Sequence, residues 1–344
     1  MVLDDKITVM VVNDSRLLNE LITKIIDGAE IKVVSKAFNG ADALRKLKHV
    51  RPDVILLDLE MPIMDGFTFL NNLMKIDPIP VIIVSSYSKQ GSKIVFDALG
   101  CGAVDFLQLP FTPIEDTNTI EEILIAKIKV ASKAKPNLIT IPNKKIMKSK
   151  ISNGSLSQKL VVIGSSTGGP TVVRSIVHNL PSDLNAAVIV IQHMSDTFIK
   201  YFTERLDADS ALKVKEAKDG EMLKNGTILV SPTKYHLAVD AHKCVQLYDG
   251  MPRMGVKPCI NVTMISASEV YGSDTIGVLL SGMGCDGAFG LKMIKKRGGF
   301  SIAQDEESSI VFGMAKEAEK LNAVDKFVPA DHLVKEIVSK IGQK

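Results

Sequence analysis

No apolar run in the 344-residue sequence reaches the roughly 18 residues that a membrane-spanning helix needs. The opening residues, MVLDDK, carry two acids and lead into a short apolar stretch, which is not the pattern of a secretory signal peptide. We therefore expect a cytoplasmic protein that does not insert into a membrane.

Cysteine is scarce as well. The four cysteines form no C-x-x-C pair and no Cys/His zinc spacing; they are Cys101, Cys244, Cys259 and Cys285. Buried or incidental thiols are favoured over a metal site, because zinc sites need clustered ligands.

Acidic and aromatic residues are both missing between positions 127 and 159, where nine lysines lie. Without these lysines the formal charge of +3 becomes −6, so the basic balance comes from one tract. Such a tract suits either a nucleic-acid arm or a solvated linker, and the lack of aromatic residues for base stacking favours the linker. We expect no nucleic-acid partner.

The length suits two domains. Lysine and serine are frequent in residues 135–158, which also hold Pro136, Pro142 and Asn153-Gly154. We interpret this stretch as a linker between a first domain, 1–134, and a second domain, 159–344.

In the first domain, short apolar runs alternate with segments of helical periodicity. The predicted strands are residues 7–12, 31–34, 54–57, 81–84 and 104–107, and the predicted helices are 16–27, 41–49, 67–75, 88–99 and 121–134. This alternation predicts an α/β fold with a parallel sheet covered by helices on both faces.

Polar residues follow several of these strands. Asn13 and Asp14 follow the first, Asp58 ends the third and Ser85 ends the fourth. Each alone is more often a turn or cap residue. Together, at the edge where ligands bind in parallel sheets, carboxylates beside a hydroxyl favour a Mg²⁺ and phosphate site.

The segment DVILLDLEMPIMDG, residues 53–66, closely resembles the region around the phospho-accepting aspartate of response-regulator receiver domains. The resemblance covers about residues 6–134 and implies a flavodoxin-like (βα)5 fold. It implies Asp58 as phospho-acceptor, Ser85 as the switch hydroxyl, and the Asp14 and Asp58 carboxylates with the Glu60 carbonyl as Mg²⁺ ligands.

Two positions depart from the usual receiver pattern. Asn13 stands where paired acids would place a carboxylate, and Leu109 stands where a lysine precedes the proline. Asparagine can offer a metal one oxygen with less charge, whereas leucine cannot neutralise a phosphoryl group. A degenerate receiver that serves as an interaction domain therefore stays an alternative.

The same alternation resumes in the second domain and predicts a second, doubly wound parallel α/β sheet. The predicted strands are residues 160–163, 186–191, 227–230, 275–280 and 300–303, the predicted helices are 171–179, 198–206, 262–270, 288–297 and 313–321, and 235–248 suits a hairpin.

Residues 164–168, GSSTG, match G-x-S-x-G, the strand-to-helix turn that presents a nucleophilic serine. Helix capping explains Ser166 equally well on this stretch alone. His193 and Asp286, however, also follow predicted strands, so the three side chains would share one edge of the sheet. The order Ser, His, Asp differs from that of the α/β-hydrolases.

Four motifs of this domain look like those of chemotaxis protein-glutamate methylesterases: IGSSTGGP (163–170), QHM (192–194), SGMGCDGA (281–288) and AQDEESSIVFGM (303–314). The resemblance implies hydrolysis of glutamyl γ-methyl esters on chemoreceptors, with release of methanol and, in many members, deamidation of receptor glutamines. It implies no catalytic cofactor.

By motif position, Ser166 is the nucleophile, His193 the base and Asp286 its orienting acid. Thr167 and Met283 fall where the family shapes the oxyanion and substrate site. The departures are KPCIN at residues 257–261, where RPSVD is common, and Ala315 in place of a proline.

The implied partners are methyl-accepting chemotaxis receptors as substrate and a chemotaxis sensor histidine kinase as phosphodonor. A receptor- or kinase-binding adaptor with a vestigial triad is the alternative, and the complete Ser166, His193 and Asp286 set argues against it. A DNA-binding response regulator ranks last, because no helix-turn-helix follows the first domain.

Overall fold

The computed structural model describes residues 6–86, 89–109, 117–134, 136 and 155–342. The chain divides into two compact units, Met1–Leu138 and Ile139–Lys344. Within the described ranges, no helix is long and apolar enough to cross a membrane.

The first unit is a five-stranded parallel sheet with helices between the strands. The strands are β1 (Ile7–Val12), β2 (Ile31–Ala37), β3 (Val54–Leu57), β4 (Val81–Ser86) and β5 (Asp105–Leu109). The helices are α1 (Arg16–Ile26), α2 (Gly40–Leu47), α3 (Gly66–Ile76), α4 (Lys89–Gly100) and α5 (Thr117–Ala131). The strand order β2-β1-β3-β4-β5 confirms the predicted fold class for this unit.

The apolar runs form strands because both faces of the sheet are covered. All four residues of β3 are buried, as is β1 from Val9 onward. Polar caps begin the helices that follow: the side chains of Ser15, Asn39 and Asp65 accept backbone N–H groups of α1, α2 and α3.

The second unit is built on a seven-stranded sheet. Its strands are β6 (Leu160–Ser165), β7 (Ala187–Gln192), β8 (Lys213–Glu216), β9 (Thr227–Val230), β12 (Thr275–Leu279), β13 (Phe300–Gln304) and β14 (Lys326–Val328). A separate antiparallel pair, β10 (His236–Val239) and β11 (Val245–Tyr248), confirms the predicted hairpin. The helices are α6 (Gly169–Asn179), α7 (Asp196–Ala208), α8 (Ile260–Tyr271), α9 (Ala288–Lys296), α10 (Met314–Lys320) and α11 (Leu333–Gly342).

The order of this sheet is β14-β13-β12-β6-β7-β9-β8, and all its pairings are parallel. The predicted parallel α/β class is therefore confirmed for the second unit too. The chain leaves β6 toward β7 on one side and returns as β12 on the other. The carboxyl ends of these three strands consequently meet at the point where the strand order reverses, where ligands bind in such folds.

Helix α8 packs directly on the central strand. A side chain at Gly164 of β6 would come within 2.5 Å of Ile260 Cγ2 at the start of α8. Ile260 and Met264 are fully buried in this contact region. Glycine at this position therefore lets the first turn of α8 approach the strand that precedes Ser166.

Three elements were not predicted: β8, β14 and α11. Strands β8 and β14 lie at the two edges of the sheet and pair on one side only. Their short sequences, KVKE and KFV, consequently carry little of the apolar signal that marks buried strands. Most other predicted ends differ from the observed ones by one to four residues.

Most of the predicted linker lies outside the described residues, but its last four residues are described. Leu156 forms a bridge with Lys224, and the Ser157 N–H donates to the Leu223 carbonyl at 2.9 Å. The Ser157 hydroxyl also accepts the Ala187 N–H, at 2.8 Å. These contacts attach residues 156 and 157 to the second unit.

Candidate active site and receiver site

Ser166 lies in the sharp turn between β6 and α6. Gly168 caps the helix with φ +75, and Pro170 falls in the first turn of α6. A side chain at Gly168 would meet Ile310 Cβ at 2.6 Å and the Ser281 hydroxyl at 2.8 Å. Glycine is required here because of both its backbone angle and the lack of space. The sequence therefore folds into the predicted strand–turn–helix.

The backbone of Ser166 forms hydrogen bonds with residues at the ends of two neighbouring strands. Its N–H donates to the Ser281 carbonyl, 3.1 Å away beyond β12. Its carbonyl accepts the Gly169 N–H at 2.9 Å and the Gln192 side-chain amide at 3.1 Å. Its hydroxyl makes no hydrogen bond with any residue in the described part of the chain. The backbone of this nucleophile candidate is therefore fixed in place, whereas its hydroxyl has no hydrogen bond within the described chain.

His193 follows β7 and is held beside this turn. Its N–H donates to the Ser165 carbonyl at 3.0 Å, and its side chain is only 13% exposed. Its Nε2 lies 3.1 Å from Asp286 Oδ2. The structure thus places the predicted base and the predicted acid in direct contact, 93 residues apart in sequence.

Four donors surround the Asp286 carboxylate, which is 4% exposed. Oδ2 accepts His193 Nε2 and the Ile260 N–H at 2.7 Å. Oδ1 accepts the Asn261 N–H at 2.9 Å and the Cys259 thiol at 3.1 Å. Three of the donors come from consecutive residues where α8 begins, and a helix N-terminus favours negative charge.

These contacts decide the charge of Asp286. Burial raises the pKa of its carboxyl, but the hydrogen bond from His193, followed by that from Asn261, outweighs burial, so the net pKa lies below its usual range. Asp286 is therefore an anion at neutral pH and can balance a positive charge on His193. Its bond to Nε2 leaves Nδ1 as the ring nitrogen that can accept a proton.

Met283 and Thr167, the predicted oxyanion and substrate residues, lie on the two loops beside Ser166. A side chain at Gly282 would come within 2.7 Å of Ser166 Cβ, so the chain before Met283 runs directly past the nucleophile candidate. The Met283 side chain is 46% exposed. The Thr167 carbonyl accepts the Ser281 hydroxyl at 2.9 Å, which fixes that loop to the neighbouring one.

Sequence reasoning missed the residues that support this site. Gln192, 1% exposed, donates from one amide nitrogen to the carbonyls of Ser166 and His193, at 3.1 and 3.2 Å. Cys259, interpreted as an incidental thiol, contacts Asp286. The position of Gln192 just before His193 was a usable signal, whereas nothing local in the sequence linked Cys259 to Asp286.

The receiver site of the first unit is also acidic and partly enclosed. Burial raises the pKa of Asp58 to about 6, and the nearby charges of Asp14 and Glu60 add to the rise. Asp14 and Glu60 line an open cleft of about 600 Å³. Ser85 lies on β4, two strands from β1, in register with Gln108 of β5.

This donor set fits Mg²⁺, which binds one or two carboxylates with carbonyl and water oxygens. Asp14 and Asp58 place repelling negative charges together, and a divalent cation would offset them. No group of three or more acidic, histidine or cysteine side chains is arranged to hold a metal ion in the described ranges. A metal at this site would therefore use two carboxylates and the Glu60 carbonyl.

Asn13 does not present its oxygen to such a metal. Its Oδ1 accepts the Ser15 N–H at 2.8 Å, and its Nδ2 donates to Asp58 Oδ2 at 2.8 Å. The side chain is buried, with 3% exposure. The expectation that Asn13 could offer an oxygen is not met in this arrangement, because that oxygen caps the turn before α1.

Comparisons with known proteins agree with both halves of this description. Residues 161–337 match the family model for the CheB methylesterase, and residues 9–121 match that for the response regulator receiver domain. A protein-glutamate methylesterase/protein-glutamine glutaminase of Archaeoglobus fulgidus is 40% identical over 337 residues, which cover 96% of this chain and 97% of the relative. One from Clostridium acetobutylicum is 39% identical over 340 residues, covering 97% of each chain.

A solved structure resembles the second unit. The catalytic domain of the Thermotoga maritima CheB methylesterase is 40% identical, with a TM-score of 0.52, and the match covers 53% of this chain and 97% of that domain. Receiver and catalytic unit thus follow one another in a single chain, as the family models show. The chain belongs to the CheB methylesterase family, in the form with an N-terminal receiver domain.

Proposed function

We propose that the chain hydrolyses glutamyl γ-methyl esters on methyl-accepting chemotaxis receptors, with Ser166, His193 and Asp286 as the catalytic triad. The observation that carries the proposal is the His193–Asp286 hydrogen bond of 3.1 Å at the strand ends that flank Ser166. The names of the relatives support both the ester and the glutamine as substrates.

The proposed reaction is acyl transfer in two halves. His193 Nδ1 takes the Ser166 hydroxyl proton as the oxygen attacks the ester carbonyl, and Asp286 stabilises the resulting imidazolium. The developing oxyanion lies near the start of α6, where backbone amides of the loops that carry Thr167 and Met283 would stabilise it. His193 returns the proton to the leaving methoxide, and methanol departs.

Water then completes the reaction. His193 removes a proton from water as it attacks the acyl-enzyme, the ester bond to Ser166 breaks, and the serine oxygen recovers the proton. The products are a receptor glutamate and free enzyme. A glutamine side chain follows the same route with ammonia as the leaving group. No cofactor takes part in these steps.

We further propose that the receiver controls this activity through phosphorylation of Asp58 by a chemotaxis sensor histidine kinase in the cytoplasm. Mg²⁺, held by Asp14, Asp58 and the Glu60 carbonyl, would offset the charge of the transferred phosphoryl group. The Ser85 hydroxyl, at the end of a neighbouring strand, would bind the phosphorylated form. The burial of Asp58 and the acidity around it support this assignment.

Methanol release from methylated receptors tests the catalytic proposal. Ser166→Ala should lower kcat by about 10⁶-fold, as in other serine hydrolases, without unfolding the protein. Ser175→Ala, on the same helix α6, is the matched control and should release methanol at the parent rate. Near-parental release by Ser166→Ala would refute the assignment.

The adaptor alternative can be tested separately, because an adaptor would have the same fold without the esterase activity. The Asn13 contact with Asp58 is the observation that favours it, since it gives the receiver one carboxylate fewer than is usual. Fluorophosphonate should label Ser166 in an enzyme and not in an adaptor. Phosphodonor with Mg²⁺ should phosphorylate Asp58 and change the methanol rate; an unmodified Asp58 would contradict the regulatory part alone.

A further inference from the structure

We propose that Cys259 is a positioning residue, whose thiol donates to Asp286 Oδ1 and holds this carboxylate in the orientation that serves His193. The inference deepens the proposed function and rests on the same triad. Within the described residues the Cys259 thiol donates to Asp286 and forms no hydrogen bond with Ser166 or His193, so we expect it to act through Asp286.

The geometry around Asp286 gives the thiol a specific task. Oδ2 is shared by His193 Nε2 and one backbone amide, whereas among the described residues Oδ1 has the Asn261 N–H alone besides the thiol. With both donors present, each carboxylate oxygen is held by two hydrogen bonds. Without the thiol, rotation of the carboxyl group is opposed at Oδ1 by a single amide.

The thiol is a donor in this contact, and it is not an anion. Cys259 is 1% exposed, and burial, followed by the negative charge of Asp286, raises its pKa to about 12. Its S–H therefore persists at neutral pH. The Sγ–Oδ1 distance of 3.1 Å places the hydrogen between the sulfur and the carboxylate.

The backbone N–H of Cys259 binds a different partner from its side chain, which binds Asp286. The Cys259 N–H donates to His236 Nδ1 at 3.2 Å, and His236 Nε2 donates to the Met251 carbonyl at 3.0 Å. Both ring nitrogens of the fully buried His236 therefore have hydrogen-bond partners. The ring anchors residue 259 at the start of α8.

One measurable consequence follows from loss of the thiol. A less constrained carboxylate orients His193 less well, which lowers the rate at which Ser166 is activated. A residue that only filled space would leave this rate unchanged once its volume was restored.

The chain supplies a matched control in Cys285. This cysteine is exposed and directly precedes Asp286, yet its sulfur lies 3.9 Å from Met254 Sδ and makes no hydrogen bond to the carboxylate within the described chain. Removing it tests the loss of a nearby thiol without the loss of a donor to Asp286.

The experiment measures the rate of fluorophosphonate labelling of Ser166 against pH in the full-length protein, with methanol release in parallel. Cys259→Ala and the volume-filling Cys259→Val should lower the plateau rate by about 3- to 10-fold. Cys259→Ser, which restores a donor, and Cys285→Ala should stay within about twofold of the parent.

A parental plateau rate in both Cys259→Ala and Cys259→Val would overturn the proposal. A serine variant as slow as the alanine variant would overturn it too, because a donor should rescue. If the parent were labelled at Ser166 but released no methanol, the proposed substrate would be wrong, whereas the proposed role of Cys259 would still hold. A parent that is not labelled at Ser166 would overturn both.

Discussion

Asp286→Asn is the substitution that most directly tests the geometry of the site. The carboxylate accepts four hydrogen bonds, two on each oxygen, whereas an amide offers one acceptor oxygen and one donor nitrogen. Wherever the amide nitrogen lies, it faces groups that also donate. The variant must leave at least one buried N–H group without an acceptor.

The two orientations of the amide break different hydrogen bonds. With the amide nitrogen at the Oδ1 position, the Asn261 N–H loses its acceptor, whereas the Cys259 thiol can rotate and accept a hydrogen bond from the amide. With the amide nitrogen at the Oδ2 position, the Ile260 N–H loses its acceptor, and His193 Nε2 must accept a hydrogen bond from the amide. That second orientation moves the ring proton to Nδ1, which then cannot accept the proton of Ser166.

The magnitudes follow from these losses. One stranded buried N–H lowers the free energy of unfolding by about 1–3 kcal/mol. Removal of the charge beside the imidazolium lowers kcat by about 10³- to 10⁴-fold, judged from the equivalent change in serine proteases. KM should change little, because Asp286 does not touch the substrate in the proposed mechanism.

The stability difference should depend on pH in a defined direction. The pKa of Asp286 is lowered in the fold, so its ionised form stabilises the protein above the unfolded pKa of about 3.9. This contribution is lost as the pH falls through the folded value. Urea unfolding should therefore separate parent and variant fully at pH 7, and the gap should narrow below about pH 4.

Asp209→Asn is the matched control for the assay. Asp209 is a partly buried carboxylate of the same unit, but its partners are Arg174 and Arg205, which do not belong to the site. The control should lose stability and keep its kcat for methanol release. If Asp286→Asn remained folded with kcat within about tenfold of the parent, the triad assignment would be refuted.

Two further predictions concern the turn and the receiver. Gly168→Ala should lower the free energy of unfolding by about 2–3 kcal/mol, because φ is +75 and the new methyl group overlaps Ile310 Cβ at 2.6 Å; an unchanged urea midpoint would contradict this. In chelator, the half-buried Asp58 carboxyl, with its pKa raised to about 6, should stabilise the receiver below about pH 4. That stability should be lost as the pH rises through 6, so between pH 4.5 and 7.5 the parent should lose about 1–2 kcal/mol more than Asp58→Asn, after allowance for partial exposure. Mg²⁺ should restore stability to the parent at pH 7.5 and not to the variant, as measured by calorimetry; equal effects on both would argue against Asp58 as a ligand.

Much of the fold could be predicted from local pattern. Apolar runs such as 54–57 and 227–230 form the strands at the predicted bounds, because strands covered on both faces must be apolar throughout. Edge strands β8 and β14 escaped prediction because only one side of each is paired and their sequences are partly polar. The hairpin could be predicted because a polar turn separates its two short apolar runs.

Local pattern is enough to predict that Ser166, His193, Asp286 and Asp58 follow strands, because strand ends are local features of apolar runs and their turns. The folded chain was needed to show that β7 and β12 flank β6, that Asp286 meets His193 through Nε2, and that the start of α8 surrounds Asp286 with donors. These contacts join residues 25 to 93 positions apart, and periodicity carries no information on which strand pairs with which. Strand order and helix packing, which fix those pairings, arise from the burial of the whole core at once.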